Sequence, residues 1–239
     1  YDLWGRHAER LLEATEASYR DRLHGSLARL GVDAGNAHRG DGVRVSRLAE
    51  FDRWFPPERL GRCLEFTLEG LGAQLDRLPA IHVDAAERPG KNPRASCISP
   101  RVPEEVWILL APRGGVDDYE TLFHEAGHAL HAAYTSPELS VERRRLGEPA
   151  LTETWAFLLH YRISDPAWVA AGPVADRAEP VLAAARLRKL ALLRRYAAKI
   201  RFELELNRLE ADQSPRPLAE VYAGELTRAT GFQLSHIHI

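Results

Sequence analysis

The chain has 239 residues, of which 45% are hydrophobic and 28% charged, values typical of a globular protein and unlike those of a disordered or collagenous chain. Its 32 Lys and Arg residues nearly balance 34 Asp and Glu residues, so the net charge of -2 gives no electrostatic reason to expect nucleic acid or an anionic membrane as a partner. The only two cysteines, Cys63 and Cys97, form no C-x-x-C pair, which argues against a disulfide framework and favours a reducing compartment. No apolar run reaches the roughly 20 residues that span a bilayer, and the first ten residues do not resemble a signal peptide. We therefore expect a cytoplasmic protein.

The first third of the chain is predicted to be helical. Apolar residues recur at helical spacing from Leu3 to Leu30, and Gly31 supplies a stop. A glycine-rich loop is expected up to Gly42, followed by helices over Val45–Phe55 and Pro57–Leu78.

A small sheet is predicted next, before the segment that carries the chemistry. The β-prone runs Ile81–Val83 and Val106–Leu110 are bounded by Pro, Gly and Asp residues. Asp117 and Glu120 have the spacing of a capping box, so we expect a helix to begin there.

The rest of the chain is predicted to be helical again. Pro149 is suited to open a helix that Pro166 ends or kinks, and further helices are expected over Val181–Leu209 and Pro217–Thr230. These patterns predict a mainly α fold with a small β-sheet next to the helix that begins near Asp117. We divide it into an N-terminal helical part, residues 1–78, and a second part, residues 79–239.

A metal-binding motif lies within the helix predicted after Asp117. His124 and His128 are four residues apart, so on a helix both imidazoles face one side and can reach one ion. Glu125 follows His124, where it can hold and deprotonate a metal-bound water without being a ligand itself. The pattern His-Glu-x-x-His predicts one Zn²⁺ per chain, with Glu125 as general base. The helix after Asp117 is then the active-site helix next to the small sheet, and residues 79–239 are the zinc-binding catalytic part.

A third zinc ligand must come from another segment, because catalytic zinc usually takes three protein ligands. Glu148 precedes Pro149 at a helix start, where a carboxylate is explained as a cap. Glu153 lies inside the helix, a more rigid platform, among apolar neighbours. We therefore expect Glu153 to be the ligand, with Glu148 as the alternative.

Two further histidines lie on the same helix faces. His131 continues the face of His128 but is too far along the axis to be a third ligand, and Tyr134 stands where the last histidine of the three-histidine class belongs. His131 is expected to support a ligand or line the cleft, with a plain polar-face histidine as the alternative. His160, two turns beyond Glu153, has the same two interpretations.

At these residues the sequence resembles the thimet oligopeptidase and oligoendopeptidase F family of zinc metallopeptidases, in the glutamate-ligand class. The resemblance covers residues 81–159. It is carried by the following segments: Ile81–Asp84, Arg88–Lys91 with Ala95, His124–His131 and Thr152–Ala156. The family implies zinc on His124, His128 and Glu153, and a mostly helical, zincin-like fold with a small sheet beside a deep cleft, lined by the Gly114-Gly115 turn and the strand before it.

The resemblance implies an oligoendopeptidase that hydrolyses short peptides. A related helical zinc carboxypeptidase and a zinc-binding helical module without turnover are the alternatives, and the oligomeric state is not predicted. Family members carry a substrate-binding histidine and tyrosines on later helices, to which His236 and His238 do not match. Because the chain also begins at Tyr1 and contains no Met, we expect a fragment of a longer protein, and weak or no peptidase activity from this chain alone.

Overall fold

The structure, a computed structural model, describes residues 2–92, 94–171, 178–208 and 217–234. In this part of the chain the fold is mainly helical with a small sheet, as predicted. The sheet is three-stranded and mixed, and its strand Ser96–Arg101 was not predicted. The helices are α1 (Asp2–Arg29), α2 (Arg39–Arg47), α3 (Leu60–Gly70), α4 (Val116–Ala133), α5 (Val141–Arg145), α6 (Pro149–His160), α7 (Pro166–Ala171), α8 (Ala178–Arg208) and α9 (Leu218–Thr230). The strands are β1 (Ile81–Asp84), β2 (Ser96–Arg101) and β3 (Glu105–Leu109).

The chain divides into two compact units, one formed by Tyr1–Arg47 with Ala183–Ile239 and the other by Leu48–Leu182. The motif residues and Glu153 all belong to the second unit. The predicted division between residues 78 and 79 falls within the second unit. The assignment of the two predicted parts to different functions stays a prediction.

The first unit is held together by apolar residues of α1, α8 and α9 around a buried arginine. Arg194 of α8 is only 1% exposed. Its guanidinium donates hydrogen bonds to the Leu12 carbonyl (2.7 Å), the Ala229 carbonyl (2.7 Å) and the Glu16 carboxylate, and it lies 4.7 Å from the centroid of the Tyr19 ring. A buried charge is tolerated here because its donors are matched by acceptors.

The sheet of the second unit provides the surface on which α4 packs. Its strand order is β1-β3-β2, with β1 parallel and β2 antiparallel to β3. Burial alternates along the central strand, and Val106 and Ile108 are fully buried. This alternation follows from the two-residue period of a strand and directs one apolar face toward α4.

A two-glycine turn leads from the sheet into the motif helix. Gly114 and Gly115 have φ values of +87° and +97°, and the Gly115 N–H donates to the Phe55 carbonyl at 2.7 Å. The Asp118 carboxylate accepts hydrogen bonds from the Arg113 and Gly114 N–H groups at 2.5 and 2.7 Å. The predicted capping box is therefore wrong: the N-cap is Gly115, and it makes no side-chain cap.

Several predicted helix boundaries are also wrong. The helix expected over Pro57–Leu78 is confined to α3, flanked by short 3₁₀ turns, and α2 begins inside the expected glycine-rich loop. Pro166 does not end the helix that begins at Pro149, since α6 already ends at His160; instead Pro166 is the first residue of α7. Among the described residues, no helix combines the length and apolar character needed to cross a bilayer.

Candidate metal centre

Helices α4 and α6 approach each other unusually closely at the motif. A β-carbon added to Gly127 would lie 2.4 Å from the Trp155 carbonyl oxygen and 2.5 Å from the Ala156 Cα. Side chains do not tolerate such distances, so only glycine allows this contact. The glycine costs about 1 kcal/mol relative to alanine in a helix. The close contact between the helices explains why residue 127 is a glycine.

This contact brings three potential metal ligands from the two helices together. Nε2 of His124 lies 3.2 Å from Nε2 of His128. Oε2 of Glu153 lies 3.5 Å from Nε2 of His124, and Oε1 of the same carboxylate lies 3.7 Å from Nε2 of His128. These are the residues of the described chain whose donor atoms lie within 4.8 Å of one another and so form a group able to hold a metal ion.

The distances fit a tetrahedral zinc site. With bonds of about 2.1 Å, two ligand atoms of a tetrahedral zinc lie about 3.4 Å apart, and the three observed distances fall close to this value. Two imidazoles and one carboxylate are also a ligand set that catalytic zinc commonly takes. The residues present therefore fit zinc in ligand type and in approximate spacing.

The site is open on the side of the carboxylate. The side chains of His124 and His128 are 22% and 19% exposed, whereas that of Glu153 is 48% exposed. Burial, and to a smaller degree the nearby His128, lowers the pKa of His124. The neutral imidazole that a metal requires is thereby favoured.

The two histidines are held in different ways. Nδ1 of His128 lies 2.9 Å from the Thr152 hydroxyl on α6. The His124 ring instead packs edge-on against Phe157, with centroids 5.2 Å apart, and against His160, at 5.7 Å. Helix α6 thus supplies neighbours for both histidines as well as Glu153.

Glu125 lies close enough to both His124 and Cys97 for its charge to act on their pKa values. Burial raises the pKa of Cys97, a residue of β2, to about 11, and the charge of the Glu125 carboxylate adds to this rise. Glu125 itself is partly buried. It is not one of the three residues whose potential ligand atoms converge, as the motif predicts for a residue that is not a ligand.

The remaining predicted residues lie around the group of three ligands. The His131 ring stacks on Trp155, with centroids 6.0 Å apart and planes at 9°. Nε2 of His160 lies 3.7 Å from the carboxylate of Glu120, a buried residue one turn before His124. Glu148 is exposed at the N-cap of α6 and is not part of the group.

Sequence reasoning missed Thr152 and Glu120 as neighbours of the ligands. The only indication for Thr152 in the sequence is that its hydroxyl directly precedes the candidate ligand Glu153. Glu120 was assigned to a capping box instead. The tail histidines His236 and His238 lie outside the described residues.

No protein-family model and no curated protein matches this chain. Its functional assignment therefore depends on the sequence motif and on the geometry of this site.

Proposed function

We propose that the chain is a zinc-dependent metallopeptidase that hydrolyses peptide bonds in short peptides, of the thimet oligopeptidase and oligoendopeptidase F type with a zincin-like core. The observation that carries this proposal is the convergence of Nε2 of His124, Nε2 of His128 and the Glu153 carboxylate within 4.8 Å, with Glu125 next to the first of them.

These three residues would hold the ion. Zinc bound there would supply a Lewis acid that polarises the scissile carbonyl and makes water easier to deprotonate. Three protein ligands leave a coordination position open for chemistry, as in catalytic rather than structural zinc sites. The exposed side of Glu153 is consistent with a reaction partner entering from solvent.

Glu125 is proposed as the general base. Its carboxylate accepts a proton from the attacking water and passes it to the leaving amine, so one residue acts first as a base and then as an acid. It can do so because it adjoins His124 in sequence, its charge acts on the His124 ring, and it is not itself in the ligand group.

A pooled library of short peptides tests the proposal. The zinc-loaded chain should cleave members of the pool, and a chelator should abolish cleavage while zinc restores it. Mass spectrometry of the products also separates internal cleavage from removal of C-terminal residues. One equivalent of bound zinc with no cleavage of any peptide would support a non-catalytic zinc module instead.

A further inference from the structure

The hydroxyl of Thr152 has a different hydrogen-bond partner from those of most other helical threonines in the described chain. Thr67, Thr154 and Thr230 each donate a hydrogen bond of 2.7 Å to the carbonyl four residues earlier in their own helix. This is the usual local solution for a helical threonine. The Thr152 hydroxyl instead lies 2.9 Å from Nδ1 of His128 on the facing helix.

The orientation of the His128 ring fixes the direction of this hydrogen bond. Nε2 of His128 is the nitrogen that lies near His124 and Glu153, at 3.2 and 3.7 Å. A ligating nitrogen needs its lone pair, so the proton of the neutral ring belongs on Nδ1. Nδ1–H then donates to the Thr152 oxygen, which accepts.

We propose that Thr152 is a positioning residue that holds His128 in the Nδ1–H tautomer, with Nε2 turned toward the metal. The proposal rests on the zinc site proposed above and adds the group that prepares one of its ligands. Thr152 and Glu153 are consecutive in α6, so a single turn of helix supplies both a ligand and the hydrogen bond that orients another. His124 does not depend on this hydroxyl, because it is packed against Phe157 and His160.

Three variants separate the hydroxyl from the helix position. Thr152→Val removes the hydroxyl and keeps the branched shape, whereas Thr152→Ser keeps the hydroxyl. Thr154→Val is the matched control, because it makes the same change two residues away on an exposed part of the same helix.

Zinc affinity, measured by competition with a chelator, is the first readout. Loss of a group that orients a metal ligand typically weakens metal binding about 10- to 100-fold. We expect such a loss for Thr152→Val, near wild-type affinity for Thr152→Ser and Thr154→Val, and a changed visible spectrum of the cobalt(II)-substituted Thr152→Val protein. Equal affinity and equal cobalt spectra for Thr152→Val and wild type would overturn the proposal while leaving the zinc site intact.

The imidazole ¹⁵N chemical shifts of the metal-free protein are the second readout. They should assign the His128 proton to Nδ1 in wild type and Thr154→Val, and this population should fall in Thr152→Val. An unchanged tautomer in Thr152→Val would contradict the proposed role. If the wild type bound no zinc, the proposed function would fail, and the nitrogen shifts would still decide whether Thr152 sets the tautomer.

Discussion

Gly127 of α4 lies so close to Ala156 of α6 that a β-carbon at residue 127 would come within 2.5 Å of the Ala156 Cα. The contact is between two backbones, so no side-chain rotation can relieve it. The ligand candidates His128 and Glu153 lie next to this contact, one on each helix. The glycine of the motif therefore sets the separation of the helices that carry the ligands.

Gly127→Ala should consequently force the two helices apart. Overpacking of this kind usually costs about 1–3 kcal/mol, so we expect a loss of this size in the free energy of unfolding, measured with urea, together with weaker zinc binding. Gly224→Ala in α9 is the control, because a β-carbon there meets nothing within 4 Å. That change should stabilise the protein by roughly 0.5–1 kcal/mol. Wild-type stability and zinc affinity for Gly127→Ala would show that the helices are not fixed by this contact.

The sequence predicted which residues form the candidate site better than it predicted the residues that position them. His124, Glu125 and His128 are recognisable because a fixed spacing on one helix encodes their relation. Glu153 required a choice between two carboxylates, which its position inside the helix and its apolar neighbours decided. Glu153 and not Glu148 lies with the histidines in the structure, and its role as a metal ligand stays a prediction. Thr152 was not predicted, because its partner lies on another helix and depends on the packing of α4 against α6.

Helix boundaries were predicted least well where tertiary contacts decide them. Asp118, not Asp117, accepts the N–H groups before α4, because two glycines with positive φ turn the preceding backbone toward it. The residues after Pro57 form one short helix with 3₁₀ turns, although their apolar spacing alone is compatible with a longer helix.

Arg194 should be important for the stability of the first unit. Removal of one partner from a buried, hydrogen-bonded charge commonly costs 3–5 kcal/mol, and we expect about 3 kcal/mol for Arg194→Met because the carboxylate of Glu16 is 47% exposed and can be rehydrated. The neighbouring Arg195 is exposed, so Arg195→Met should change the free energy of unfolding by less than about 0.5 kcal/mol. Urea denaturation compares the two variants directly, and equal effects would refute a special role for Arg194.

Cys97 should react slowly with alkylating reagents in the folded protein. Burial raises its pKa to about 11 from an ordinary value of 9.0, so near pH 8 the thiolate is about 100-fold rarer than in the unfolded chain. Because the folded-state pKa is the higher one, the stability linked to the neutral thiol is fully present below about pH 9 and is lost as the pH rises toward 11. Iodoacetamide labelling, followed by mass spectrometry of the Cys97 peptide with and without urea, measures the difference. Equal rates in both states would contradict the burial of this thiol.

Glu125→Gln tests the proposed general base, because it keeps the shape of the side chain and removes its basicity. A positioned base contributes about 10²- to 10⁴-fold, so kcat should fall by that factor while the zinc content stays at the wild-type level. His124→Ala should instead lose both zinc and activity. If the Glu125→Gln protein retained more than about a tenth of the wild-type kcat with its metal bound, another group would have to be the base.

The zinc content of the protein after dialysis against metal-free buffer tests the central claim most directly. Three-ligand sites normally retain their metal under such handling, so wild type and Glu148→Ala should each hold about one zinc per chain, and Glu153→Ala should lose it. A wild-type content below about 0.2 zinc per chain, or loss of zinc from Glu148→Ala but not from Glu153→Ala, would contradict the assignment of His124, His128 and Glu153 as the metal ligands.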